Sequence, residues 1–257
     1  MNRMEKIFGE NIKNGRGSLV LYFPIGDPIL GDDVAWAGKY FDNGCDVLEI
    51  GLPYENPIFD GPTVASSMDR ALEVVDLEEV FRRIKMIRDA YPDNILQIMT
   101  YYENIEKYGL EEFAKKAYEC GADGVLAPNI PPEVMPELDK ALEQYGLFNI
   151  RFAPYTMTEE ALEDLKANAK GYIFQQAVNG ATGAQKEIDP AVKDKIQFIK
   201  DQGVTTPVFA GFGVSGAEHI RQHLERGADG CIVGSATISH IQAGDGEEYI
   251  RSLSEVL

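Results

Sequence analysis

Glu49 and Asp60 are the two side chains whose types and spacing point to chemistry. Glu49 interrupts the apolar run Asp46-Val-Leu-Glu-Ile-Gly-Leu52, which has the composition of a buried strand. Asp60 follows on a loop stiffened by Pro53, Pro57, Gly61 and Pro62. Burying a charge is costly unless something pairs it or uses it. A buried acid facing a loop acid is suited to proton transfer, one group moving a proton while the other steadies the charge that develops. An Asp before Gly-Pro is by itself an ordinary turn residue, and only its place opposite a buried Glu gives it a functional reading. Glu55, between two prolines, reads as a solvated loop charge.

The elements that must position this pair come from the alternation of short β-rich runs with amphipathic stretches. Strands are expected near 18–24, 46–51, 95–100, 123–127, 148–153, 171–175, 206–210 and 229–233, and helices over Leu110 to Cys120, Pro132 to Tyr145 and Ala191 to Asp201. Three segments echo one another: Asn43-Gly-Cys-Asp-Val-Leu-Glu-Ile50, Glu119-Cys-Gly-Ala-Asp-Gly-Val-Leu126 and Glu225-Arg-Gly-Ala-Asp-Gly-Cys-Ile232. Each ends a helix at Gly, turns at Asp and enters a strand, the mark of a repeated β/α unit. Eight such strands predict an α/β fold, a single (β/α)8 barrel of the TIM type over residues 1–257 with an extra N-terminal helix. A doubly wound open sheet is the rival, but no G-x-G-x-x-G follows the first strand. No linker or low-complexity tract divides the chain.

In a barrel, function collects where strands end and βα loops begin. Asp27, Asp60, Tyr101-Tyr102, Pro128-Asn129, the small-residue loop 177–185, Gly211-Phe-Gly-Val-Ser215 and Gly234-Ser235 all fall there. Val47, Glu49 and Gly51 share one strand face, so Glu49 points into the barrel if Leu48 and Ile50 meet the helices. The competing reading is a structural ion pair. The nearest candidate partner is Arg151 in the fifth strand, whose facing the pattern leaves open. Gly213 allows close backbone approach, Ser215 could cap a helix starting at Gly216, and Gly234-Ser235 can open another helix. Together they outline the phosphate cradle that barrels build after strands seven and eight.

His219 and His223, spaced i,i+4, read as a solvated helix face rather than metal ligands, and no metal is expected. No strand-end lysine is placed to form a Schiff base. The net charge of −18 argues against nucleic acid and against long-range capture of anions, so a phosphate must be held by local amides. No apolar run approaches a membrane span, and the N-terminus has no signal-peptide core. Cys45, Cys120 and Cys231, an odd number without C-x-x-C, read as buried thiols in a reducing compartment, and a cytoplasmic protein is expected.

The chain resembles the α subunit of tryptophan synthase along nearly its whole length. The likeness is carried by Gly26-Asp27-Pro28, Leu48-Glu49-Ile50-Gly51-Leu52-Pro53, Asp60-Gly61-Pro62-Thr63, Met99-Thr-Tyr-Tyr102, Thr182-Gly183, Gly211-Phe-Gly-Val-Ser215 and Gly234-Ser235. The resemblance implies a lyase of tryptophan biosynthesis that cleaves indole-3-glycerol phosphate to indole and glyceraldehyde 3-phosphate without cofactor or metal, in company with a β subunit. It implies Glu49 as general acid/base and Asp60 as the stabiliser of charge on the indole nitrogen. It implies a phosphate site of Gly183, Gly213, Gly234 and Ser235. Substrate-binding residues would be Thr182 and, lining an apolar indole pocket, Tyr22, Met99, Tyr101, Leu126, Phe152, Phe174, Phe212 and Ile232.

The departures concentrate in loops. The family pattern Pro-Phe-Ser-Asp-Pro is here Pro53-Tyr-Glu-Asn-Pro57, and a usually small residue before the loop aspartate is Phe59. Glu103-Asn104 replaces Asn-Pro, Pro128-Asn129 replaces Ala-Asp, and Val178-Asn179 stands where an arginine is usual. Three readings compete: a working lyase less dependent on its β partner, a barrel lyase with a changed substrate, and a weakly active or inactive binding or regulatory subunit. The retained Glu49 and Asp60 argue against the third and the altered loops argue for it; the first is favoured.

Overall fold

The computed structural model describes residues 2–177 and 191–257. Along the chain α1 (Arg3–Lys13) precedes β1 (Ser18–Phe23). Next come α2 (Asp33–Asp42), β2 (Val47–Gly51), α3 (Pro62–Leu72), α4 (Leu77–Ala90) and β3 (Ile95–Met99). The middle holds α5 (Tyr102–Tyr108), α6 (Leu110–Glu119), β4 (Gly124–Leu126), α7 (Met135–Glu143), β5 (Phe148–Asn149) and β6 (Arg151–Ala153). The rest is α8 (Glu159–Asn168), β7 (Ile173–Gln176), α9 (Ala191–Asp201), β8 (Val208–Gly211), α10 (Ala217–Glu225), β9 (Gly230–Val233), α11 (Ser235–Ala243) and α12 (Gly246–Ser254).

All described strand pairs are parallel, in the order β5-β4-β3-β2-β1-β9-β8-β7-β6. The two ends of this sheet, β5 and β6, are separated in sequence only by Ile150, so the sheet curls back on itself as a nearly closed barrel. The fifth expected strand, 148–153, is thus two ladder segments. Its first half bonds β4, with Ile150 N donating to Val125 O at 2.8 Å, and from Arg151 onward it bonds β7.

Period-two alternation sorts the strand residues into two layers. Leu19, Leu21, Leu48, Ile50, Leu96 and Ile98 pack outward with helix residues such as Tyr40, Ile84 and Phe113. Val20, Tyr22, Val47, Ile95, Met99 and Ile232 fill the interior. The N-terminal helix completes that interior. Met4 and Phe8 of α1 join the interior cluster, and Phe8 meets Tyr172 and Phe209 edge-on at 6.0 and 5.1 Å. Each such buried side chain contributes ~1.5–3 kcal/mol. Gly124 and Gly171 make room for this plug: an added Cβ would lie 3.1 Å from Met4 Cε and 2.9 Å from Met4 Sδ respectively. Asn2 caps α1 and also donates to Asp123 O at 2.8 Å, tying the helix to the N-terminal end of the barrel.

The three echoed turns have one design. Gly44, Gly121 and Gly227 have φ of 95°, 87° and 94°, which only glycine adopts without strain. The following Asp46, Asp123 and Asp229 each accept from the backbone N–H of the neighbouring strand, Leu19, Leu96 and Val208, at 2.8–2.9 Å. Each carboxylate also meets a cation, Arg16, Arg88 or Lys200. The Asp therefore fixes where each parallel ladder starts, and with it which residues reach the opposite, C-terminal mouth.

Candidate active site

Glu49 projects from the middle of β2 into the barrel and is 4% exposed. No cation pairs with it among the described residues. Arg151 turns outward, its guanidinium held by Asp139 and Asp164 at 2.6–3.1 Å, so the ion-pair reading of Glu49 is removed. The Glu49 carboxyl accepts from Gln97 Nε2 at 3.1 Å. Burial first, and the nearby Asp60 second, push its pKa up to about 8, with Gln97 acting in the opposite sense. At neutral pH the group carries its proton and is an acid in waiting.

Asp60 sits on the loop between β2 and α3, and the Tyr101 hydroxyl donates to its Oδ2 at 2.8 Å. The same hydroxyl accepts from Phe59 N at 3.1 Å. Burial and the Asp60 charge hold Tyr101 well above its ordinary pKa, so it remains a donor. Tyr101 was expected to line the pocket. It is fully buried behind Asp60, its ring stacked on Tyr54 at 5.0 Å.

Glu49 and Asp60 open onto a single pocket at the C-terminal mouth. Tyr22, Met99, Leu126, Phe152, Phe174, Phe212 and Ile232 line it. Phe59, Val64, Pro128 and Val214 are further lining residues. Phe59 and Pro128 were legible as departures from the family pattern, whereas Val64, in the first turn of α3, gave no signal. Phe59 meets Phe152 edge-on at 5.6 Å, and Phe152 meets Phe174 and Phe212 at 5.5 and 6.0 Å. The cavity among the described residues is about 40 Å³, room for about three waters.

At the rim, Gly213 and Phe212 both have positive φ, 77° and 72°, and Phe212 is the one non-glycine to do so among the described residues. Gly213, Gly234 and Ser235 face the pocket. α10 and α11 begin beside it at Gly216 and Gly234, and neither has a side-chain cap. Ser215 was expected to cap α10. Instead His219 Nδ1 lies 3.3 Å from Ser215 N, 3.3 Å from Ser215 Oγ and 3.2 Å from Gly213 O, bracing the turn. The free N-terminal amides of these helices suit an anion. Thr182, Gly183, Val178 and Asn179 lie outside the described residues.

Two other expectations change. His223 was read as solvated but is 1% exposed; its pKa is lowered to about 4 by burial, then by Arg226 and His219. Asp27 is committed to structure, taking two bonds from Arg70 of α3 at 2.9 and 2.6 Å. The three thiols are buried as expected. No group of three metal-ligating side chains occurs among the described residues, and none of their helices is long and apolar enough to cross a membrane.

The altered loop positions meet one another. Asn129 accepts from Tyr102 N at 2.8 Å and donates to Glu103 Oε2 at 2.9 Å, and Asn104 donates to Pro53 O at 3.2 Å. Tyr54, stacked on Tyr101, is exposed to the Glu103 charge, which adds to burial in raising its pKa.

Comparison with known proteins agrees with the barrel fold. The family model described as tryptophan synthase alpha chain matches residues 8–256. The tryptophan synthase alpha chain of Geobacter sulfurreducens is 33% identical over 255 residues, covering 99% of this chain and 96% of that protein. That of Methanoregula boonei is 32% identical over 243 residues, covering 94% and 90%. Among solved structures, tryptophan synthase subunit alpha from Legionella pneumophila superposes with a TM-score of 0.89 at 28% identity, covering 100% of this chain and 98% of that one. A structure from Aquifex aeolicus reaches 0.91 at 30% identity, covering 100% and 99%. The chain belongs to the tryptophan synthase alpha chain family, lyases of tryptophan biosynthesis.

Proposed function

We propose that the pocket between Glu49 and Asp60 cleaves indole-3-glycerol phosphate to indole and glyceraldehyde 3-phosphate, with Glu49 shuttling one proton. The observation that carries this reading is the buried Glu49, with no cation paired to it among the described residues, protonated at neutral pH beside a second carboxylate. The indole ring occupies the aromatic pocket, its N–H donating to Asp60, which Tyr101 holds in place. Glu49 delivers its proton to the ring carbon that bears the side chain, and Asp60 stabilises the positive charge appearing on the ring nitrogen. The Glu49 carboxylate then takes the proton of the adjacent side-chain hydroxyl. That oxygen forms a carbonyl, the carbon–carbon bond breaks, and its electron pair restores the aromatic ring. One proton has moved from oxygen to carbon, so no redox partner is required.

Gly213, Gly234 and Ser235 would hold the phosphate through amides at the start of α11 and in the turn before α10. A chain of net charge −18 gains little from long-range attraction, so this local cradle carries the anion. Phe59 and Pro128 in the lining support a second reading in which the same acids cleave an indole derivative of different outline.

A tryptophan synthase β subunit is the proposed partner. The Tyr54–Glu103–Asn104–Asn129 contacts occupy loops that the family turns toward that subunit, and they favour weaker coupling between the two chains. The test supplies purified protein with indole-3-glycerol phosphate, alone and with its β subunit, and measures indole. Indole in both mixtures supports the proposal. None in either removes it, and strong activation by the β subunit would remove the weak coupling.

A further inference from the structure

Glu49 has polar neighbours at its own level of the barrel. Across the parallel ladder its register partners are Tyr22 of β1 and Gln97 of β3, so three adjacent strands send these side chains inward together. Gln97 is fully buried in an otherwise apolar strand. Its Nε2 donates to Glu49 Oε1 at 3.1 Å, while its Oε1 has no hydrogen-bond partner among the described residues. A buried amide is destabilising unless its hydrogen bonds are made, so a half-used amide beside the acid needs a reason.

A primary amide is a neutral side chain that can serve a carboxyl in both protonation states. Toward a carboxylate its N–H donates. Toward a protonated acid its carbonyl oxygen accepts the acid proton, and a half-turn about the soft terminal torsion exchanges the roles. The unpartnered Oε1 is the acceptor that the second state uses. We propose that Gln97 is the positioning residue of the acid/base, a two-sided amide that keeps the Glu49 carboxyl in place while its proton leaves and returns. The inference rests on the reading of Glu49 as proton shuttle, and Gln97 acts through Glu49 rather than on the substrate.

The titratable groups facing Glu49 are Asp60 from the following loop, Tyr22 from β1 and Tyr172 from the turn before β7. Burial holds both tyrosines well above their ordinary pKa, so they stay neutral, and Asp60 is the charge that acts on Glu49. A charge-assisted bond to the carboxylate is about twice as strong as a neutral bond to the acid. Removing the amide therefore moves the Glu49 titration upward.

The test is a carbon-13 NMR titration of protein labelled at the glutamate carboxyl carbon, with the Glu49 signal identified by its loss in Glu49→Gln. In Gln97→Met, and in Gln97→Leu as a second apolar replacement, the midpoint should rise by roughly 0.5–1 pH unit. The alkaline limb of indole formation should move with it, while a purely structural role would lower the melting temperature and leave both unmoved. An unchanged or lower midpoint in the folded variants overturns the proposal. The titration uses no substrate. Absence of indole from the wild-type protein would sink the lyase reading while the amide is still judged by its own shift.

Discussion

The Tyr101 hydroxyl donates to Asp60 Oδ2 at 2.8 Å, so a residue just beyond strand β3 fixes the acid on the loop after strand β2. Because the same oxygen accepts from Phe59 N, Tyr101→Phe loses a donor to a carboxylate and strands a backbone amide. A hydrogen bond to a charged group is worth ~1.5–3 kcal/mol. The variant should lose about 10- to 100-fold in kcat/KM for indole-3-glycerol phosphate, with only a few degrees of melting temperature. Steady-state kinetics beside a thermal melt checks this, and full activity would place Asp60 outside the reaction.

Glu49→Gln should be nearly inactive and yet more stable. General acid–base catalysis contributes typically ~10²–10⁴-fold, which sets the loss of indole formation. In the folded chain the Glu49 carboxyl titrates at about 8, against 4.5 in its ordinary state. Between those values the unfolded chain gives up a proton that the folded chain keeps, so the stability Glu49 allows falls as pH rises from about 4.5 to about 8 and is then level. The stability advantage of Glu49→Gln should grow over that window by on the order of 5 kcal/mol. Chemical denaturation at several pH values reads it directly, and a constant difference would mean an unperturbed acid.

The inward facing of Glu49 was legible because strand residues alternate and Leu48 and Ile50 are apolar. The barrel was legible because the Gly-Asp turn recurs at Asp46, Asp123 and Asp229. What was hidden depends on partners distant in sequence. Nothing in Phe148 to Ala153 says that the strand changes neighbours at Ile150. His223 lies among charged residues in the chain, but the side of α10 that packs inward buries it. Gln97 passed unnoticed in an apolar run, although sharing a face with Ile95 and Met99 was enough to aim it at Glu49. The loop departures looked scattered, and only folding shows Glu103 meeting Asn129.

Phe59 should limit which indoles enter. Its ring packs edge-on against Phe152 and lines the pocket onto which Glu49 and Asp60 open, so it borders the space the indole ring would take. A methyl-sized change in an apolar pocket shifts discrimination by ~10–200-fold. Phe59→Ala should narrow the gap in kcat/KM between indole-3-glycerol phosphate and a ring-methylated analogue by about tenfold. Competition between the two substrates measures it, and an unaltered ratio would show that Phe59 does not shape the ring site.

The three Asp turns should differ in cost although their sequences match. The Asp123 side chain is 3% exposed and meets Arg88, which is 9% exposed, while Arg3 takes its other oxygen. Asp229 is 26% exposed and meets Lys200 at 32%. Removing one partner of a buried pair leaves an uncompensated charge and costs ~3–5 kcal/mol, whereas a solvated pair contributes ~0–1 kcal/mol. Both carboxylates also hold a strand N–H, worth about 1 kcal/mol or somewhat more at each site. Asp123→Ala should therefore destabilise by about 3 kcal/mol more than Asp229→Ala in urea unfolding. Both turns lie at the end of the barrel opposite Glu49, so kcat of the folded variants should stay within about twofold of wild type. Equal costs would mean that Arg88 finds other compensation among the carbonyls of Gly121, Tyr91, Pro92 and Asn94 that it already contacts.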